Sequence, residues 1–312
     1  MVLDVTSINF SKDNLHSEDA VLHEVINEQY VTFINSDGNG SAGKRSQKVL
    51  HKFDNDNLEL ASIIAVTTNY YTNRIFKSIV NDLKFNKFSI ERASRRIEHI
   101  IINEIKLDKR LVYFCFLLSV IDLKNKKLYS IGVGDCLYTV FDLKNGTMET
   151  NTLQKTQSLA FNGRGSALVG CPISIHNTSS YLYPINVKVS NIPDKFIFLQ
   201  YSDGLGYDIA VPIHIIENEL KRTITWDDES LTDDNIIKTH KKIEEKILKK
   251  DKPDSSYSRY NITKNEMYKV LSNNKSTTKI ILELIKCTEY APDNRRKNDD
   301  ISLVVFYHNP VF

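Results

Sequence analysis

Five short acidic clusters, Glu18-Asp19, Asp37-Gly38, Gly134-Asp135, Asp203-Gly204 and Asn298-Asp299-Asp300, are spread along this chain of 312 residues. Four of them abut runs of β-branched and aromatic residues. A carboxylate at the end of a buried strand is costly unless a cation, a helix N-terminus or an arginine compensates it. So many placements of one kind call for a shared explanation, and a carboxylate-lined metal site assembled across a β core supplies one.

The flanking patterns set the clusters on strand ends. Residues Val2 to Phe10, Asp19 to Val25 and Tyr30 to Asn35 read as strands, the last running into the turn Ser36-Asp37-Gly38-Asn39-Gly40-Ser41. From Ser41 to about Leu107, apolar residues recur at threes and fours (Ile75, Ile79, Leu83, then Ile90, Ile97, Ile101), which predicts two long amphipathic helices. Arg110 to Leu123 is nearly all apolar, and with Lys127 to Gly132 and Leu137 to Leu143 it predicts three consecutive antiparallel strands, the first buried on both faces. Residues 144 to 192 look hairpin-like and irregular, and Lys195 to Tyr201 is a strand that ends on Ser202-Asp203-Gly204. A helix is expected to start over Ile209 to Leu220. The polar stretch from about 223 to 276 reads as an insertion or flap with one exposed helix capped by Thr232 to Asp234. A last helix, Thr277 to Cys287, precedes the strand Ile301 to Tyr307.

Composition narrows the partners. Lys+Arg 41 against Asp+Glu 39 leaves a formal charge of only +2, and no Arg-rich stripe appears, so nucleic acid is not the expected ligand. The cysteines Cys115, Cys136, Cys171 and Cys287 fall singly, without CxxC or Cys/His spacing, so zinc and disulfide readings are poor. The start MVLDVTSINFSKDN has neither a basic n-region nor an apolar h-region, and no apolar stretch reaches the roughly 20 residues that span a bilayer. A cytoplasmic, monomeric protein without membrane attachment is expected, with residues 1–312 as a single domain.

Hard divalent cations prefer carboxylate, carbonyl and water oxygens, and a pair of them needs a bridging carboxylate with several terminal ones. The acidic clusters hold that inventory. The glycine after Asp37 lets the backbone turn sharply and offer the Gly38 carbonyl beside a bridging carboxylate. Antiparallel neighbours would bring together Asp203, at the C-terminal end of one strand, and Asp299, at the N-terminal end of another.

Taken in order, Ser17-Glu18-Asp19-Ala20, Ser36-Asp37-Gly38-Asn39-Gly40-Ser41, Val133-Gly134-Asp135-Cys136, Tyr201-Ser202-Asp203-Gly204-Leu205 and Asn298-Asp299-Asp300-Ile301 resemble the successive motifs of the metal-dependent PPM (type 2C) protein phosphatases, in their bacterial-type branch. Each motif alone is ordinary: a DG pair is a common surface turn, and Asp203-Gly204 can cap a helix. Their order and rough spacing are what carry the resemblance, which spans about residues 8 to 307.

The resemblance implies an α+β fold, a four-layer α-β-β-α sandwich of two antiparallel sheets flanked by helices. It implies two Mn²⁺ or Mg²⁺ ions, with a third, weaker one. Asp37 would bridge the ions, Gly38 would lend its carbonyl, and Glu18 and Asp19 would bind directly or through water. Asp203 and Asp299 would ligate on the other side, and Asp135 would share the third ion with Asp203. It further implies a protein serine/threonine phosphatase in which a metal-bridging water attacks phosphorus in line, acting on a phosphorylated protein opposite a cognate Ser/Thr kinase. None of the cysteines is followed by the arginine of a Cys-x5-Arg loop, so a cysteinyl intermediate is not expected.

Two departures qualify the likeness. The family often carries a phosphate-gripping arginine before the Glu-Asp pair; here Lys12 or His16 would stand in, and a lysine lacks the bidentate fork. Where eukaryotic members carry a histidine two residues after the bridging aspartate, this chain has Asn39. These departures keep open a second reading, a catalytically weak or inactive regulatory module of the same fold, and the loop composition leaves room for a third, a phosphatase for a small phosphoester.

Overall fold

Period-two alternation in the strands and spacing by threes and fours in the helices sort the apolar side chains into three separate layers, and those layers define the architecture. The computed structural model describes residues 3–11, 17–38, 57–105, 114–134, 136–153, 185–205, 262–289 and 300–310. The expected helix over 209–220 and the expected cap at 232–234 lie outside the described residues.

Among the described residues, ten strands form two antiparallel sheets. One has the order β1-β10-β9-β6-β7, from β1 (Asp4–Phe10), β10 (Ile301–His308), β9 (Phe196–Tyr201), β6 (Leu137–Asp142) and β7 (Thr147–Thr152). The other has the order β2-β3-β4-β5-β8, from β2 (Ala20–Ile26), β3 (Tyr30–Gly38), β4 (Phe114–Asp122), β5 (Lys127–Val133) and β8 (Asn186–Asn191). Helices α1 (Asn57–Lys84) and α2 (Ile90–Ile100), the latter continued by a π-helical turn at Ile101–Ile105, cover the outer face of the β2-β8 sheet. Helices α3 (Lys264–Asn273) and α4 (Thr277–Glu289) cover the outer face of the other. The result is the four-layer α-β-β-α sandwich.

β4 shows how the sequence enforces this. All of its residues are buried: Phe116, Leu118 and Val120 pack toward the helices, while Leu117 and Ile121 pack toward the opposite sheet. β9 and β10 divide in the same way, with Ile197, Leu199, Leu303 and Val305 outward and Phe196, Phe198, Val304 and Phe306 inward. Between the sheets, Phe33 stacks on Phe198 at 5.1 Å and Phe198 on Tyr138 at 5.9 Å. Each such ring contributes about 1.5–3 kcal/mol on burial.

Polar contacts fix the outer layers. Asp82 of α1, nearly inaccessible, accepts hydrogen bonds from Arg92 Nε at 3.1 Å and Arg96 Nη1 at 3.0 Å, which ties α1 to α2. Asp4 of β1 accepts from the Thr277 backbone N–H at 3.1 Å and its hydroxyl at 2.6 Å, placing a carboxylate at the start of α4 where the helix dipole favours it. A capping box between Thr263 and Glu266 starts α3, whose Met267, Val270 and Leu271 are buried. Residues 262–276, expected as the end of a polar flap, thus pack into the core; only a few apolar residues among many polar ones mark the inward face. β7 and β8 are regular strands within the region expected to be hairpin-like and irregular, and β7 forms a hairpin with β6. As sheet edges they are short and polar, which weakens their pattern.

The β4-β5 and β6-β7 hairpins share the turn sequence Asp-Leu-Lys-Asn, at 122–125 and 142–145. In each, the aspartate accepts from the asparagine backbone N–H, at 3.0 Å for Asn125 and 3.1 Å for Asn145, and from its side-chain amide at 2.7 Å. The residue after each asparagine has positive φ: Lys126 at 53° and Gly146 at 63°. Gly146→Ala is expected to lower stability by about 1–2 kcal/mol and Lys126→Gly to raise it by a smaller amount, since only glycine avoids the left-handed penalty. Urea unfolding of the two variants checks both signs.

His308 lies at the far end of the inter-sheet layer against Phe196 and Phe306, and burial pushes its pKa down, a nearby Asp194 only partly opposing this. The folded protein then binds this proton less readily than the unfolded chain, whose histidine titrates near 6.5. Stability is fully present above that pH and falls as pH drops below it. Melting temperatures measured from pH 8 to 5.5 are expected to decline less steeply in His308→Phe than in wild type.

Candidate metal centre

The registers bring the acidic segments to one end of the sandwich. In the β2-β8 sheet, Ala20 pairs with Ser36, Gly38 with Phe114 and Phe116 with Val133, so β2 begins, β3 ends, β4 begins and β5 ends on the same side. In the other sheet, Phe10 pairs with Ile301, and Tyr201 with both Leu303 and Leu137. β1 and β9 therefore end where β6 and β10 begin. Side-chain hydrogen bonds between the sheets show that these two ends coincide: Asn9 Nδ2 donates to the Asp19 carbonyl at 2.7 Å, and Asn35 Nδ2 donates to Ser302 Oγ at 3.1 Å. Glu18, Asp19, Asp37, Gly38, Gly134, the Asp203 backbone and Asp300 all lie at this end.

Each segment is held by a local device. Ahead of β2, Ser17 Oγ donates to Asn9 Oδ1 at 2.7 Å and accepts from the Asp19 N–H at 3.2 Å. The Glu18 N–H donates to Asp300 Oδ2 at 2.8 Å, a charge-assisted bond. Asp19 is only 2% exposed and Asp300 5%, whereas Glu18 and Asp37 are half-buried and Gly38 is buried. Asp37 follows Val31, Phe33 and Asn35 on the inter-sheet face of β3. Its neighbour Ser36 faces the other way, and its hydroxyl accepts from Thr72 Oγ1 of α1 at 2.8 Å.

The β9-β10 ladder continues past its last strand pair. Ser202 N–H donates to the Ser302 carbonyl at 3.0 Å, and Ser302 N–H donates to Ser202 Oγ at 3.0 Å. Asp203–Leu205 then form a single 3₁₀ turn in which Gly204 lies directly against the Asp300 carbonyl, where any side chain would overlap it. Only glycine allows that approach.

Of the expected site residues, Glu18, Asp19, Asp37 and Gly38 are fully described, and Asp203 by its backbone. Lys12, His16, Asp135 and Asp299 lie outside the described residues, although Gly134, Cys136 and Asp300 beside them are described. Among the described residues, no three His, Cys, Asp or Glu side chains approach closely enough to hold an ion. The donors gathered here are carboxylates and a main-chain carbonyl, the hard oxygen set that suits Mg²⁺ or Mn²⁺ and not a soft metal.

Asp300, next to Asp299, is not among the expected ligands. It carries the hydrogen bond to Glu18 instead. Asn9, Ser17, Asn35, Ser202 and Ser302 were not singled out either; a polar residue on the inward-facing parity of a strand, as at Asn35 and Ser302, is the signal that marks them.

Above the acidic end, the inter-sheet layer is polar and buried. Gln200 Nε2 donates to the Leu117 carbonyl at 2.6 Å, and burial pushes the Tyr138 phenol up, opposed by the neighbouring Ser190 and Ser130 hydroxyls. Among the described residues no helix is long and apolar enough to cross a membrane.

Neither a family model nor a curated relative matches this sequence. Solved structures do share its fold. A bacterial serine phosphatase superposes with a TM-score of 0.54 over 100% of both chains at 10% sequence identity. The S. agalactiae serine/threonine phosphatase does so with a TM-score of 0.51 over 99% of this chain and 100% of its own, at 12% identity. A Bacillus subtilis SpoIIE chain, its PP2C phosphatase domain with a fragment of the regulatory domain, matches 98% of this chain at 13% identity and a TM-score of 0.49; this chain spans 63% of it. The architecture is that of the first two of these structures, the bacterial serine phosphatase and the S. agalactiae serine/threonine phosphatase.

Gly204→Ala is expected to push the ends of β9 and β10 apart and cost about 1–3 kcal/mol, as overpacking does. Denaturant unfolding measures the loss, and stability equal to wild type would contradict the contact.

Proposed function

We propose that the protein is a Mn²⁺- or Mg²⁺-dependent phosphatase that hydrolyses phosphoserine and phosphothreonine in proteins. The observation that carries this reading is the convergence of acidic strand ends from both sheets at one end of a phosphatase-type sandwich. Asp37, Gly38, Asp203 and Asp299 would hold the ions, with Glu18 and Asp19 at the flank and Asp135 at a third, weaker position. When bound, divalent ions lower the pKa of water and neutralise charge developing on phosphoryl oxygens. The chain's own residues supply orientation: Asn9, Ser17 and Asp300 fix the Glu18-Asp19 segment, and Gly204 fixes the turn that carries Asp203. Lys12 and His16, ahead of that segment in sequence, are the candidates to meet the substrate phosphate as point charges.

The test is hydrolysis of p-nitrophenyl phosphate and a phosphothreonine peptide with and without Mn²⁺, in wild type, Asp37→Ala and Asp203→Ala. Activity is expected only with metal. Each substitution should reduce kcat/KM by on the order of 10²-fold or more, the scale seen when one element of preorganised charge stabilisation is removed. Metal-independent turnover, or turnover untouched by the substitutions, would sink the assignment. Tight Mn²⁺ binding without turnover would favour a regulatory module of this fold.

A further inference from the structure

Asp300 stands between the two halves of the acidic end. Its carboxylate is almost wholly buried and its Oδ2 accepts from the Glu18 N–H at 2.8 Å, across from one sheet to the other. Its main chain is fixed as well, because Gly204 abuts the Asp300 carbonyl and the paired Ser202 and Ser302 lock β10 to β9 just beyond it. The same sheet grips the Glu18-Asp19 segment a second time through Asn9, whose strand is the hydrogen-bonded neighbour of β10. A carboxylate is an acceptor at both oxygens, so it meets a backbone N–H in either flip of the group.

We infer that Asp300 is a positioning residue. It joins the Glu18-Asp19 segment of one sheet to the Asp203-Gly204 turn of the other and so sets the spacing between the two halves of the metal centre, without serving as a ligand itself. The inference rests on the metal-dependent reading above. It predicts that removing the acceptor weakens metal binding from outside the ligand set, whereas removing only the charge does not.

Two measurements on wild type, Asp300→Ala and Asp300→Asn test it. The first is amide hydrogen exchange at Glu18 in the metal-free protein, followed by NMR. Wild type and Asp300→Asn are expected to protect this amide, and Asp300→Ala to exchange it about tenfold faster or more, as loss of a local hydrogen bond does. The second is Mn²⁺ titration by calorimetry. Asp300→Ala is expected to weaken binding about 10- to 100-fold, the range for loss of a partner behind the ligands, and Asp300→Asn by no more than about threefold.

An unprotected Glu18 amide in wild type, or unchanged protection in Asp300→Ala, would overturn the positioning role. Asp300→Asn weakening Mn²⁺ binding as much as Asp300→Ala would also overturn it, because the charge would then mark Asp300 as a ligand. If wild type shows the exchange pattern yet binds no Mn²⁺, the metal reading fails, and the role in a metal centre fails with it. Should Asp300→Ala not fold, an unprotected Glu18 amide in wild type, or Mn²⁺ binding weakened about tenfold or more in Asp300→Asn, still overturns the role.

Discussion

Everything in this sandwich depends on the layer between its two sheets, and the chemistry of that layer changes along the strands. At one end it is aromatic, with Phe196, Phe306 and His308 in mutual contact, followed by the Phe33, Phe198 and Tyr138 stack. Two residues further along it becomes hydrogen-bonded, with Asn35 to Ser302 and Gln200 to the Leu117 carbonyl. At the other end it is acidic, with Asp19, Asp37 and Asp300. Burial of its aromatic and aliphatic side chains contributes about 1.5–3 kcal/mol each. The polar crossings contribute only about 0.5–1.5 kcal/mol each, and their directionality sets how far apart the sheets stand where the acids lie.

That division explains why carboxylates can accumulate at one end without unfolding it. Each acidic segment ends a strand whose interior is locked by apolar packing, so the cost of gathering like charges is met by residues several positions away. The outer helices also reach toward the site. Thr72 of α1 hydrogen-bonds Ser36, which immediately precedes Asp37, and the buried Asp82 with its two arginines holds α1 against α2. The position of Asp37 therefore depends on the helical layer as well as on its own sheet.

Much of this was legible in the sequence. The strands around Tyr30, Phe114, Lys127, Phe196 and Ile301 announce themselves because they are buried on one or both faces, and their apolar parity cannot be mistaken. The edge strands β7 and β8 do not, since an edge must be short and polar to avoid pairing with other chains. Helix α3 was hidden for a related reason: Met267, Val270 and Leu271 sit among polar neighbours in a stretch that reads as solvated. The acidic clusters were visible as residue types, and the resemblance ordered them. The side chains that hold them are harder to read: inward parity marks Asn35 and Ser302, but nothing in the sequence says what they pair with. A hydrogen bond such as Asp300 to Glu18 joins positions 282 residues apart, and only register brings them together.

The most direct test of the central claim, that the acidic strand ends form one divalent-metal centre, is a crystal structure of the protein grown with Mn²⁺, with the ions located by anomalous scattering. Mn²⁺ is expected between Asp37, the Gly38 carbonyl and Asp203, at the end of the sandwich where β3 and β9 terminate. Crystals that diffract well with Mn²⁺ present but show no anomalous peak at that end, or show the ions bound elsewhere on the chain, would contradict it.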